Sequence, residues 1–172
     1  MSINRCFSIP LTVQGYADQG ALVTVRKLSQ MRDLFSDPKA VADLLEHDDP
    51  VIYEVYELPH PNDASDLLVN ITVLYPGFVG GERYMTKGHF HRNPDTAEAV
   101  IGLEGEGELI VQQRDGVLQR LPVGPGRISY AGGGWGHRVI NTGGQKLAFL
   151  SVSGANIEHD YETSAILNFK PQ

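Results

Sequence analysis

Two histidines, His89 and His91, stand one residue apart, and a carboxylate, Glu98, follows seven residues after the second. In an extended strand the side chains at i and i+2 point to one face. The two imidazoles therefore aim together while Phe90 between them aims away. Two convergent imidazoles are half of a divalent-metal site, because neutral imidazole nitrogen suits the first-row ions. Glu98 comes just after the turn signal Asn93-Pro94-Asp95 and opens the next strand, from which its carboxylate can return to the same pocket. His137 is the best fourth ligand, starting the strand HRVIN behind the glycine-rich turn Ala131-Gly-Gly-Gly-Trp-Gly136, which can lay backbone close to a ligand. Taken singly, each member has a plainer reading as a packed histidine, an exposed carboxylate or a flexible loop. Glu104, Glu106 and Glu108 read as a solvated strand edge and turn, and His47 and His60 as surface residues. Trp135 reads as packing beside the metal loop. Arg138 is either a phosphate partner or a surface or dimer contact.

Such a set needs a rigid β frame, and the chain from Val51 onward supplies one. The runs VIYEVYEL, LLVNITVLY, GELIVQQ, VLQRL, RISYA, HRVIN and KLAFLSV are rich in β-branched and aromatic residues and are broken by Gly, Pro, Asn and Asp. Asp115-Gly116 marks a hairpin, Asn141-Thr-Gly-Gly144 another turn, and Tyr75-Pro-Gly77 the end of an earlier strand. About ten short strands at this spacing predict a sandwich or barrel. Residues 24–47 carry helical periodicity: Ser29 caps a short turn, and Asp37-Pro38 reads as N-cap and first position of a helix with Val41, Leu44 and Leu45 on one face. The first 25 residues show no clear pattern.

The 172 residues suit a single domain able to bury roughly two thirds of its unfolded surface. A net charge of −7 argues against nucleic acid and anionic membranes and for a small-molecule partner. The lone cysteine, Cys6, excludes an internal disulfide, fits a reducing compartment and reads as a small buried hydrophobe. With neither a secretory leader pattern nor an 18-residue apolar run, the expectation is a cytoplasmic protein.

The order and spacing of these residues resemble the cupin motifs. His89-x-His91, Glu98 and Gly105 match the first. Gly126, Gly132-x-Gly134, His137 and Asn141 match the second, with Gly132 where a proline is usual. A narrower likeness runs through Val25-Arg-Lys-Leu28, Asp49-Pro-Val-x-Tyr-Glu-Val-Tyr56, Thr72-Val-Leu-Tyr-Pro-Gly77, Thr86-Lys-Gly-His-Phe-His91, Ala97-Glu98, Leu103-x-Gly-x-Gly107, His137-Arg-x-x-Asn141 and His159-Asp-Tyr161. It covers residues 24–162 and is similar to the cupin-type glucose-6-phosphate isomerases of archaea and some bacteria. The resemblance implies an all-β cupin fold, a double-stranded β-helix (jelly-roll) barrel with short N-terminal helices. In that reading residues 1–172 are one cupin domain: an N-terminal arm and short helices over 1–50, the barrel over 51–162 and a tail over 163–172.

It also implies one divalent metal ion per subunit, held by His89, His91, Glu98 and His137, with Fe2+ favoured over Mn2+, Ni2+ and Zn2+. Thr72, Thr86 and Gly88 are placed around a substrate phosphate, helped by Lys87, with His159 and Tyr161 at the pocket mouth. The implied partners are a phosphorylated sugar and a second copy of the chain in a homodimer, and the implied setting is glycolysis and gluconeogenesis. Aldose–ketose isomerisation moves a proton between C1 and C2, and the cost lies in charge developing on oxygen. Glu98 is the first choice of proton shuttle and His159 the reserve base. The family carries tyrosines where this chain has Val100, Gly134 and Ser153, which predicts a sugar-facing wall stripped of three phenols. The alternatives are an isomerase or epimerase of another phosphosugar, a cupin dioxygenase, and a non-catalytic phosphosugar-binding cupin.

Overall fold

A computed structural model describes residues 6–59, 65–155 and 157–164. His60 and nearly all of the expected C-terminal tail lie outside the described residues. Thirteen strands dominate, in the order β1 (Leu22–Lys27), β2 (Val51–Glu57), β3 (Leu67–Leu74), β4 (Phe78–Val79), β5 (Glu82–Arg83), β6 (Phe90–His91), β7 (Glu98–Glu104), β8 (Gly107–Gln112), β9 (Leu118–Val123), β10 (Ile128–Ala131), β11 (Gly136–Asn141), β12 (Leu147–Gly154) and β13 (His159–Asp160). Among the described residues three short α-helices accompany them: α1 (Val13–Asp18), α2 (Pro38–Leu45) and α3 (Tyr161–Ser164). Among the described residues no helix is long and apolar enough to cross a membrane.

The strands form two faces of a barrel. One is a six-stranded antiparallel sheet in the order β1-β2-β3-β12-β7-β10, so that β12, one of the last strands in the chain, lies at its centre between β3 and β7. The other face is β11-β8-β9, extended where Met85 and His89 bridge to Ile140 and His137 and where β6 pairs with β13. Between them lies a core that includes Leu74, Leu109, Val111, Leu147 and Phe149, with Leu28, Met31 and Val41 from the N-terminal segment closing one end. A smaller cluster, Tyr16, Leu58, Ile71 and Val73, covers part of the outer face of the large sheet under α1.

The expected strand runs all form strands, and Asp115-Gly116 makes its hairpin with Gly116 at φ 97°. Helix α2 starts as expected: the Asp37 carboxylate accepts the Ala40 N–H at 2.9 Å and Pro38 takes the first helical position. Three expectations need correction. The helical reading of 24–47 is too long, because Leu22–Lys27 pairs with β2 as an edge strand. Ser29 caps nothing, since its N–H and hydroxyl both bond the Asp49 carboxylate at 2.8 Å. Cys6 is exposed, not buried.

Candidate metal centre and its pocket

The ligand set is assembled from both faces of the barrel. His89 and His137 are direct cross-strand partners that exchange backbone hydrogen bonds, His89 N–H to His137 C=O at 3.1 Å and the reverse at 2.9 Å. Such opposed residues share a face, and their rings lie 4.5 Å apart between centroids. His91, two residues on in β6, brings its ring to 5.1 Å from that of His137, while Phe90 turns the other way into full burial. Glu98 comes from the opposite sheet, opening β7 across from Ala131 and Ser153. One donor atom from each of His89, His91, Glu98 and His137 lies within 4.8 Å of all the others.

The donor chemistry fits a divalent ion. His91 donates Nδ1–H to the Thr96 carbonyl at 2.9 Å, and a carbonyl can only accept, so Nε2 is the unprotonated, ligating nitrogen. The Nε2 atoms of His89, His91 and His137 are buried without a hydrogen-bond partner among the described residues, although those of His91 and His137 each lie 3.5 Å from Glu98 Oε2. Three orphaned buried acceptors aimed at one carboxylate are costly unless a shared cation satisfies them. Burial drives the His89 imidazole well below its ordinary pKa, aided by the neighbouring histidines, so it is held in the neutral form that metals require. Burial pushes Glu98 upward, but the charge of His137 and the close approach of the His137 and His91 rings, each 3.5 Å from Oε2, more than offset it, and the carboxyl lies far below its usual range.

A cavity of about 150 Å³ opens onto this cluster. Thr72, Thr86, Gly88, His159 and Tyr161 all line it, together with His89, Glu98 and His137; His91 sits behind. Burial also depresses His159, whose ring packs 4.0 Å from that of His89. Tyr161 lies 3.3 Å from His159 Nδ1 through its hydroxyl, and Lys87 Nζ rests 4.3 Å over the Tyr161 ring. The Thr86 hydroxyl oxygen accepts the Val139 N–H at 3.0 Å, which leaves the hydroxyl proton available to donate.

The glycine turn does not approach the cavity. A Cβ at Gly133 would meet the Pro94 carbonyl oxygen at 2.4 Å, so the close approach is to the loop joining His91 to Glu98. The expected wall of three lost phenols is also corrected in part. Val100 is buried in the core and Gly134 lies on the turn, and only Ser153 lines the cavity. Sequence reasoning missed Tyr53, Glu57, Asn70 and Ser151, which line it as well. Strand alternation is the signal that finds them: Asn70 shares its face with Thr72, and Ser151 with Ser153. Asn141 is structural, its Nδ2 bonding the Leu74 and Gln145 carbonyls at 2.9 and 2.8 Å.

Solved structures show the same fold. The oxalate decarboxylase of Lactobacillus farciminis, solved as a formate complex, superposes with a TM-score of 0.50 and 19% identity over 63% of this chain and 30% of that one, which speaks for the cupin barrel alone. Sequence relatives are much nearer. Proteins named glucose-6-phosphate isomerase are 39% identical in Thermococcus kodakarensis, over 94% of this chain and 85% of that protein, and 42% identical in Pyrococcus horikoshii, over 88% and 80%. A bacterial one, from Sinorhizobium medicae, is 32% identical over 81% of this chain and 66% of its own length. The family profile described as Glucose-6-phosphate isomerase (GPI) matches residues 25–168. With that match spanning most of the sequence, and with the cupin barrel and its histidine–glutamate cluster in place, this chain belongs to the glucose-6-phosphate isomerase family.

Proposed function

We propose that this chain is a metal-dependent aldose–ketose isomerase interconverting glucose 6-phosphate and fructose 6-phosphate. The observation that carries the reading is the convergence of three partnerless imidazole nitrogens and Glu98 beside a cavity that also holds Thr72, Thr86 and Gly88. The names of the relatives supply glucose 6-phosphate, and aldose–ketose isomerisation of that sugar gives fructose 6-phosphate. His89, His91, Glu98 and His137 would hold one divalent ion per subunit, with Fe2+ favoured over Mn2+, Ni2+ and Zn2+. Bound there, such an ion supplies Lewis-acid stabilisation of the negative charge that develops on the sugar oxygens.

The chain's own groups do the rest. Threonine hydroxyls and a glycine N–H are donors to phosphate oxygens, so Thr72, Thr86 and Gly88 grip the phosphate even in an acidic protein, with the Lys87 charge beside them. Glu98, held as a carboxylate, moves the proton between C1 and C2. His159, at the mouth, is the reserve base, and Tyr161 closes on it from the solvent side. The reading takes the chain as one catalytic unit, cytoplasmic, acting in glycolysis and gluconeogenesis, and homodimeric through the apolar outer face of the large sheet.

Asn70, Ser151 and Ser153 favour a second reading, in which the same chemistry acts on another phosphosugar. They give the cavity small polar groups able to bond hydroxyls in more than one arrangement. One experiment decides between the two. The purified protein is stripped of metal by chelation, each ion is restored singly, and interconversion of glucose 6-phosphate and fructose 6-phosphate is assayed. Activity with at least one ion is expected. Inactivity with every ion, in protein that folds and binds metal, overturns the leading reading, and a screen of other sugar phosphates then tests the second.

A further inference from the structure

Arg138 is a charged residue buried where sequence reasoning expected a phosphate contact or a surface position. It lies in β11 between His137 and Val139, both of which line the cavity; strand alternation turns Arg138 to the other face, where it is 8% exposed and does not line the cavity. Burial lowers its pKa to about 10, which still leaves it charged. A guanidinium this deep is retained only where its hydrogen bonds are used.

Two of its donors go to the strand that carries the site. Nη2 donates to the Lys87 carbonyl at 3.1 Å, and Nη1 reaches the Met85 sulfur at 2.9 Å. That strand is irregular at this point. Between the bridges Met85–Ile140 and His89–His137 it advances four residues while β11 spans three, so Lys87 and Gly88 together oppose Arg138. Gly88 has φ 69°, in the left-handed region open to glycine, as the extra residue of a bulge requires. Regular pairing flanks the bulge: the Thr86 N–H reaches the Val139 carbonyl at 2.9 Å on one side, and the His89–His137 exchange lies on the other. Inside it, the Lys87 carbonyl is turned to Arg138, while the Lys87 backbone lies beside the Tyr53 hydroxyl on its other side.

We propose that Arg138 is a positioning residue for the phosphate grip: by holding the Lys87 carbonyl on the far side of the bulge, it fixes Thr86, Lys87 and Gly88 in the conformation that binds the substrate phosphate. Without it the carbonyl is free to rotate toward the cavity, where its oxygen would repel phosphate oxygens. This inference rests on the phosphosugar reading given above.

The test compares wild-type protein with Arg138→Met and Arg138→Lys, each metal-loaded, for steady-state isomerisation of glucose 6-phosphate, competitive inhibition by inorganic phosphate, metal content and melting temperature. For Arg138→Met the KM is expected to rise about tenfold or more, and inhibition by inorganic phosphate to weaken in parallel, with kcat within about threefold and metal content unchanged. Arg138→Lys, which keeps the charge and donors on one nitrogen but loses the guanidinium fork, is expected to fall between. A purely structural role would instead lower the active fraction and the melting temperature at an unchanged KM, and that result overturns the inference. If Arg138→Met does not fold, Arg138→Lys decides alone: a raised KM supports the role, and an unchanged KM overturns it. Wild-type protein inactive on glucose 6-phosphate with every ion overturns the leading reading of the reaction, a different failure from an active wild type whose variants keep their KM.

Discussion

Glu98 is asked to be a ligand and a base at once, and its surroundings favour the charged form that both roles need. Glu98→Gln keeps the shape and removes the charge. The expected outcome is weaker metal binding, and a turnover lower by about 10²–10⁴-fold even at saturating metal. Metal analysis and a coupled isomerase assay check this, and a variant with normal metal content and full rate would end the shuttle role. His91 sets the pH dependence. Burial lowers it, but the Glu98 carboxylate 3.5 Å from Nε2 and the hydrogen bond to the Thr96 carbonyl more than offset that, so its pKa lies above the ordinary 6.5. Protons compete with the ion for this nitrogen. Metal retention is therefore expected to begin falling above pH 6.5 and to fall further as the pH drops, an earlier onset than His89 alone would give. Equilibrium dialysis at stepped pH measures it; full retention down to about pH 5 contradicts it. These ligands were legible because alternation fixes His89 against His91 within a single strand. Tyr53 and Asn70 were less so: alternation sets Asn70 on the face of Thr72, but only the pairing of β2 with β3 brings Tyr53 to the same cavity.

At the scale of elements, the glycine turn before β11 holds two ligand-bearing segments together. Gly133→Ala would press a methyl group against the Pro94 carbonyl and part the turn from the loop between His91 and Glu98. The expected cost is about 1–3 kcal/mol of stability, with weakened metal affinity. Gly144→Ala, whose methyl meets nothing within 4 Å, is the control and is expected to be neutral. Thermal melting of the metal-free proteins and metal titration read both, and equal behaviour of the two variants would remove the role given to Gly133. Helix α2 was legible from Asp37-Pro38, because a capping side chain and a preset φ act within one turn. Helix α1 was not: six residues around Gly15, capped by Thr12, are too few for a periodicity to emerge. Strand β1 was absorbed into the helical reading because its extended form is set by pairing with β2 rather than by its own composition.

Across the whole molecule, the large sheet turns an apolar outer face to solvent. Ile128 aligns with Ile101 and Leu150, and Tyr130 with Ala99, Val152 and Val69, while Ile128 and Tyr130 are 68% and 61% exposed. A contiguous apolar face of this kind is characteristic of an interaction surface. The expected partner is a second copy, and the double substitution Ile128→Glu with Tyr130→Glu is expected to shift the protein from dimer to monomer in sedimentation velocity. A monomeric wild type would remove the support for that reading. The barrel class was legible from the number and spacing of β-rich runs, but the strand order was not, since it depends on contacts far apart in sequence. The central place of β12 shows this most clearly and bears on how the protein comes into being. All four proposed ligands have been synthesised once His137 is made, yet the sheet that carries Glu98 has a gap between β3 and β7 until Gly154 follows. Closure must wait for pairings of high contact order, so folding is slow and late, and a nascent chain holds its metal-binding residues before it has the scaffold to gather them.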